Sequence, residues 1–334
     1  MCKQGVESGY VSPAYLSNGF FGLRIGPNPL LQPSTALPGT SHRWHHNIGQ
    51  VCAGFIVSQN PGSAQPRSHL ANVPFALQTT LRVGWTGAGA LVDVTQQLHP
   101  IRQTLELATG TLVTELAVDG PGGGSSVHLL VSQRASRAVP SLALQRIVAT
   151  RSDSRIRLDV APNPQPVPCG AGCSGTTTSY ANFSEPPNAN PPAAPAITVM
   201  GLLSYKTAPT GEALSRYGLA VGLQRHDDLA SHNRTTVFDT IAAQVSSAYH
   251  PIPDREALRL CNYGWYTGFE QLRASDDALW REIWQGRIVA AGPGVTAADQ
   301  ALLDQSLFYM RASTHPNNKL GVPPYTLSQS EDCK

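Results

Sequence analysis

The sequence predicts a mainly β protein, a large antiparallel β-sandwich followed by two C-terminal helices. Short β-type runs separated by glycine fill most of residues 81–241. None of these runs is followed by the regular crossover helix that a parallel sheet requires. Helical spacing of apolar residues appears only near the end of the chain. We therefore expect a β-sandwich domain over residues 1–267 and a helical linker over residues 268–334.

The predicted strands share β-branched and aliphatic residues between turn signals. They cover residues 81–85, 90–95, 104–107, 111–118, 127–131, 142–148, 155–160, 196–200, 217–221 and 236–241. Gly110 is predicted to supply the positive φ of a hairpin turn, and the alternation in 155–160 predicts one face in solvent. The Pro/Gly-rich stretch 162–195 is predicted to be a surface excursion and not a linker, because strands resume after it.

The first C-terminal helix is predicted from Ser275, as an N-cap, followed by the acidic first turn of Asp276 and Asp277. Trp280 and Trp284 lie four residues apart on this helix, a spacing that predicts core packing more readily than sugar stacking. The predicted N-cap and the predicted packing of the two tryptophans both rest on local sequence patterns alone.

The second helix is predicted from Thr296 and Asp299, which resemble a capping box. Leu303, Leu307 and Met310 then predict one apolar face. If a neighbouring module is absent, we expect part of this helical surface to be bare.

Composition narrows the class of protein. The formal net charge is +2 and only 14% of residues are charged, so nothing indicates nucleic acid or an anionic membrane as a partner. No apolar run is long enough to span a bilayer. The N-terminus shows no signal peptide, although the glycosylation sequons at Asn182 and Asn233 favour a secretory or vacuolar parent protein.

Six cysteines are scattered along the chain, and only Cys169 and Cys173 are close in sequence. Zinc needs four ligands, and no second Cys or His pair lies near them. A disulfide within the loop is the favoured interpretation, with free thiols as the alternative. We expect no metal at these cysteines, and we expect no cofactor.

The densest polar and aromatic cluster is the loop containing His42, Arg43 and Trp44. Three interpretations stay open: a surface loop anchored by Trp44, a loop that reaches over a sugar site, and a metal site. The acidic pairs Asp227-Asp228, Asp276-Asp277 and Glu331-Asp332 are best explained by surface solvation or helix capping.

Several segments resemble glycoside hydrolase family 65. Residues 17–24, SNGFFGLR, resemble the "NG-aromatic-xG-x-R" opening of its N-terminal module. Residues 40–43, TSHR, are similar to the "SHR" element of its acid-trehalase and glucosylgalactosyl-hydroxylysine-glucosidase branch, and 104–112 to the family hairpin. The tryptophan helix and the helix over 301–313 are similar to the linker helices before the catalytic barrel, and all the matches follow family order.

This resemblance implies a β-supersandwich joined to an (α/α)6 barrel, in which an inverting attack breaks an α-glucosidic bond. It implies a carbohydrate partner and a barrel module in cis, with the general-acid glutamate in the barrel. The "GHxFWD" segment that precedes this glutamate is absent from the sequence, so no catalytic residue is assigned.

The alternative is a stand-alone carbohydrate-binding or interaction sandwich without activity. The coding sequence beyond residue 334 would discriminate the two. The sequence does not select the disaccharide, decide between hydrolysis and phosphorolysis, or fix the oligomeric state.

Overall fold

A computed structural model of the chain describes residues 14–31, 50–59, 67–85, 88–119, 126–164, 173–179, 200–207, 215–228 and 234–319. The described strands are β1 (Ala14–Ser17), β2 (Phe21–Ile25), β3 (Gln50–Gln59), β4 (Arg67–Asn72), β5 (Thr79–Trp85), β6 (Ala88–Asp93), β7 (His99–Glu106), β8 (Thr111–Asp119), β9 (Ser126–Ala135), β10 (Leu142–Arg151), β11 (Ile156–Pro162), β12 (Cys173–Ser179), β13 (Met200–Thr207), β14 (Arg216–Asp228) and β15 (Thr235–Ser246). The described helices are α1 (Pro253–Thr267), α2 (Phe269–Gln285) and α3 (Ala297–Ala312).

Three antiparallel sheets form the β part. The large sheet has the order β12-β13-β14-β15-β10-β9-β8-β7, and the smaller sheets have the orders β1-β2-β3-β4 and β11-β5-β6. Every described strand pair is antiparallel. The predicted fold class, a mainly β antiparallel sandwich followed by helices, is therefore confirmed.

The two smaller sheets cover one face of the large sheet and bury the main core against it. One apolar cluster joins Phe21 and Phe55 to Tyr217, and a second joins Leu81 to Ile147 and Phe238. The aliphatic and aromatic residues that alternate along these strands provide this burial, which supplies the main driving force for folding.

Helix α1 covers the opposite face of the large sheet, and the sequence prediction missed it. The two predicted C-terminal helices are present as α2 and α3, and the described part of the chain has a third helix, α1, before them. The buried positions of α1 include the small residues Ala257, Cys261 and Gly264, which add little apolar surface to the face that packs on the sheet. Pro253 at the helix start and Asp254 in the first turn were available signals.

Two glycines of β14 let α1 lie directly on the sheet. A Cβ at Gly218 would come within 3.0 Å of the backbone of Asp254, and a Cβ at Gly222 would collide with the Trp265 ring. Neither glycine has a positive φ, so the requirement for glycine is steric. The close approach of α1 to β14 is possible because glycine has no side chain.

Helix α2 begins at Phe269, immediately after Gly268, and not near Ser275 as predicted. Gly268 has φ +87°, which ends α1 and turns the chain into α2. Ser275 lies inside α2, where its hydroxyl donates to the carbonyl of Gln271 at 2.9 Å. The predicted N-cap was therefore misplaced by two turns.

The capping box of α3 is confirmed, because the Thr296 hydroxyl accepts from the backbone of Asp299, whose carboxylate accepts from the backbone of Thr296. The predicted apolar face is only partly correct. Leu307 is buried together with Phe308, whereas Met310 is 67% exposed.

The hairpin prediction is confirmed, since β7 pairs with β8 and Gly110 has φ +62°. The prediction that one face of the strand over 155–160 is in solvent is also confirmed, because burial alternates along β11. The stretch 162–195 is not simply a surface excursion, because it contains β12, which pairs with β13 and extends the large sheet. No described helix is long and apolar enough to cross a membrane.

Candidate functional site

The loop and surface sites predicted from the sequence lie outside the described residues. This applies to His42, Arg43 and Trp44, to the sequons at Asn182 and Asn233, and to Cys169. Cys173 begins β12, but its side chain is outside the described part. The sugar loop, the glycosylation sites and the disulfide therefore stay predictions.

The motif turn that carries the family resemblance is built around Asn18. Its side-chain oxygen accepts from the backbone N–H groups of Phe20 and Phe21 at 3.0 and 3.2 Å. Its side-chain nitrogen donates to the carbonyls of Ser136 and Pro140, at 2.5 and 2.7 Å. Asn18 is fully buried, so one amide both closes the β1–β2 turn and ties it to the β9–β10 turn.

Asp276 of α2 holds the same β9–β10 turn. One carboxylate oxygen accepts from the Ser136 hydroxyl and from the backbone N–H groups of Arg137 and Ala138, at 2.8 to 2.9 Å. Burial raises the pKa of Asp276, while these hydrogen bonds act in the opposite direction. The prediction of surface solvation or helix capping was wrong for Asp276, which is 1% exposed.

Arg137 extends this network to the end of α3. Its guanidinium donates to the carbonyls of Arg311 and Thr314 at 2.7 and 3.0 Å and lies 5.2 Å from the centre of the Trp280 ring. Burial lowers the pKa of Arg137 to about 10, and the Asp276 carboxylate opposes that shift. The side chain satisfies carbonyl groups that the helix end leaves unpaired.

Trp280 fills the space between the β7–β8 hairpin and α3, as predicted for a core residue. It is 2% exposed and stacks on Phe308 with ring centres 5.0 Å apart. A Cβ at Gly110 would lie 2.5 Å from its indole nitrogen. Trp284 is half-buried and donates to the carbonyl of Leu107 at 2.8 Å. Both tryptophans are thus structural.

The turn after α3 returns to the motif turn. The side chain of Asn318 donates to the carbonyl of Gly19 at 2.6 Å and accepts from the Tyr249 hydroxyl at 2.8 Å. The Phe20 ring lies 4.7 Å from Tyr249 and 5.2 Å from His315. Four segments meet at this place, which we call the junction: residues 18–21, residues 136–140, Asp276 and residues 311–318.

A second polar cluster anchors the start of α2 on the large sheet. Arg146 forms two bonds with Asp239, at 2.7 and 2.8 Å, and a third with Glu270. These bonds raise the pKa of Arg146. His226 lies 3.3 Å from the Asp239 carboxylate, and the Arg146 guanidinium lies 4.5 Å from the Phe269 ring. Each of these charged side chains contacts another side chain of the cluster, which indicates a structural role.

The chemistry that these groups can perform is limited. The carboxylate of Asp276 is buried, and those of Asp239 and Asp277 are held by Arg146 and Arg134. Within the described residues, no group of three His, Cys, Asp or Glu side chains is placed to hold a metal. The junction therefore holds segments of the chain together through groups that are buried or already paired.

Comparisons with known proteins show a shared fold with one solved structure. No family model and no curated protein matches the chain. A solved structure provisionally named kojibiose phosphorylase from the human microbiome aligns with a TM-score of 0.59 and 12% identity. The alignment covers 90% of this chain and 39% of that one.

A bacterial glucoamylase complexed with acarbose also aligns, with a TM-score of 0.33 and 8% identity, over 70% of this chain and 34% of that one. That likeness is too low to carry an argument. At 12% identity the phosphorylase match shows the fold alone. The chain spans about two fifths of that protein's length and has the β-rich architecture of a part of it.

Proposed function

We propose that this chain is the non-catalytic β part of a glycoside hydrolase or phosphorylase that acts on α-glucosidic disaccharides with inversion. The catalytic carboxyl groups would be supplied by an (α/α)6 barrel in cis, as the family resemblance implies. We propose a boundary between the sandwich and the barrel-facing helices at Gly268, where α1 ends and α2 begins. The fold shared with the phosphorylase structure supports this proposal.

One observation carries the proposal furthest: exposed apolar residues concentrate in the α2–α3 linker and on α3. Ile288, Val289, Val295, Leu302 and Met310 are between 42% and 68% exposed. These five belong to one stretch of the helical pair, which we call the bare face. We propose that another module covers this stretch, and a barrel that follows the helices in the chain is the proposed occupant.

The bare face predicts self-association of the isolated chain. We expect the 334-residue protein to form concentration-dependent oligomers in sedimentation equilibrium, and Leu302→Gln with Met310→Gln to reduce them. Leu130→Gln, at an exposed leucine on the outer face of the large sheet, is the matched control and should leave them unchanged. A strictly monomeric wild-type chain would remove this support.

Activity provides the second test. The isolated chain should release no glucose from trehalose, maltose, kojibiose or glucosyl-galactose, with or without phosphate. The same chain in cis with a downstream barrel should release glucose or glucose 1-phosphate. If one Asp or Glu substitution within residues 1–334 abolished turnover by the isolated chain, the non-catalytic role would be refuted.

A stand-alone carbohydrate-binding role is the second candidate. It is favoured by Tyr263 and Tyr266 of α1, which are 47% and 74% exposed and lie three residues apart on the outer side of the helix. Aromatic rings with a free polar tip suit a sugar surface. Binding of α-glucosides by the isolated chain in calorimetry, abolished by Tyr266→Ala, would support this role.

A further inference from the structure

The hydrogen bonds of His315 fix the protonation of its ring. The backbone N–H of Asn317 donates to Nδ1 at 3.1 Å, so Nδ1 carries a lone pair. Nε2 lies 3.2 Å from the carbonyl oxygen of Arg137, which can only accept, so Nε2 carries the proton. The ring is therefore neutral, in a single tautomer, with both nitrogens engaged.

The surroundings of His315 also favour the neutral ring. The Phe20 ring packs edge-on against it. Burial lowers the pKa of His315 below its usual value. The hydrogen bond to the Arg137 carbonyl opposes this shift, and the positive charge of the Arg137 guanidinium adds to it. No described carboxylate forms an ion pair with the ring.

The other titratable groups near the turn are engaged elsewhere. From the segment before α1, the Tyr249 hydroxyl donates to Asn318. From α3, the Arg311 guanidinium donates to the carbonyls of Ile283 and Gly286. From α2, Asp276 binds the β9–β10 turn. None of these described groups offers the ring a negative charge that would stabilise its protonated form.

We propose that His315 is an acid-sensitive latch, whose neutral ring fixes the turn formed by residues 315–318 and whose protonation loosens that turn, while the bond from Nε2 to the carbonyl of Arg137 persists. A proton from solvent would bind to Nδ1, which then becomes a donor that faces the Asn317 N–H. That hydrogen bond must break. Because Asn318 of the same turn binds Gly19, the loosening would extend to the motif turn.

The direction of the pH effect follows from linkage. The folded protein binds this proton less readily than the unfolded chain, because the folded pKa lies below 6.5. The stability contributed by the latch is fully present above pH 6.5 and is lost as the pH falls through the folded pKa. The latch does not depend on the proposed carbohydrate activity, so either can fail alone.

The test measures hydrogen exchange of the full chain from about pH 7.5 to about pH 4.5, as protection factors for the backbone amides of Asn317 and Asn318. Wild type should lose up to about tenfold of protection per pH unit as His315 titrates, the limit for one proton. His315→Gln should lack this step. His128→Gln, at an exposed β9 histidine, is the matched control and should keep it.

A separate readout guards against a variant that fails to fold. In wild type, the NMR shift of the His315 ring proton should titrate with a midpoint below 6.5. A midpoint at or above 6.5 would overturn the proposal. So would the same pH dependence of protection in His315→Gln as in wild type.

Discussion

Gly110→Ala should destabilise the protein more than an ordinary turn glycine would predict. Gly110 has φ +62°, a conformation that is unfavourable for alanine by about 1 to 2 kcal/mol. The new Cβ would also lie 2.5 Å from the indole nitrogen of Trp280. Trp280 is buried and stacked on Phe308, so it cannot move aside freely, and overpacking of this kind adds about 1 to 3 kcal/mol. We expect a total loss of about 2 to 5 kcal/mol.

Two control variants separate the contributions. Gly294→Ala has a similar positive φ, +87°, with nothing within 4 Å of the new Cβ, so it isolates the backbone effect. Gly218→Ala has no positive φ but collides with the backbone of Asp254, so it isolates the steric effect. The three free energies of unfolding come from urea denaturation with a common m-value. If Gly110→Ala were no more destabilising than Gly294→Ala, the assigned contact with Trp280 would be refuted.

Three further predictions concern other residues. Asp276→Ala should reduce the free energy of unfolding by about 3 to 5 kcal/mol, because three donors, two of them buried, lose their acceptor. Asp276→Asn should lose only about 1 to 2 kcal/mol, and equal losses in urea denaturation would argue against the network. Burial raises the thiol pKa of Cys52 and Cys261 from 9.0 to about 12, so iodoacetamide should alkylate both about a thousandfold more slowly in the folded chain than in urea, as followed by mass spectrometry. In an enzyme that contains the catalytic module, Arg43→Ala or Trp44→Ala should raise KM by about tenfold with little change in Tm; a sharp fall in Tm with normal kinetics for Trp44→Ala would identify a packing anchor instead.

Local sequence patterns were sufficient for much of the fold. Alternation along 155–160 predicted β11, and the turn at Gly110 predicted the β7–β8 hairpin, because both signals depend on neighbouring residues. Helix α1 was missed because it buries small residues against Gly218 and Gly222 of a distant strand. Strand β12 was missed because its stretch is rich in proline and glycine, and only pairing with β13 reveals it.

The junction could not be predicted from local sequence patterns for a related reason. The pair Asp276-Asp277 looks like an ordinary solvated helix pair until α2 is placed beside residues 136–138. Asn18 was noticed as part of a motif, but the two carbonyls to which its side-chain nitrogen donates lie more than 100 residues away. The tautomer of His315 likewise depends on Arg137, a residue of another turn.

The motif turn also sets an order of events during synthesis. Asn18 needs residues 136–140, and Gly19 needs Asn318, which lies 299 residues further along the chain. At about 5 to 20 residues per second, a ribosome takes roughly 15 to 60 s to cover that distance. During this interval β1 and β2 cannot complete their native contacts. Strands β1 and β2 are thus synthesised long before the partners of their turn, and they are among the last described elements to complete their native contacts.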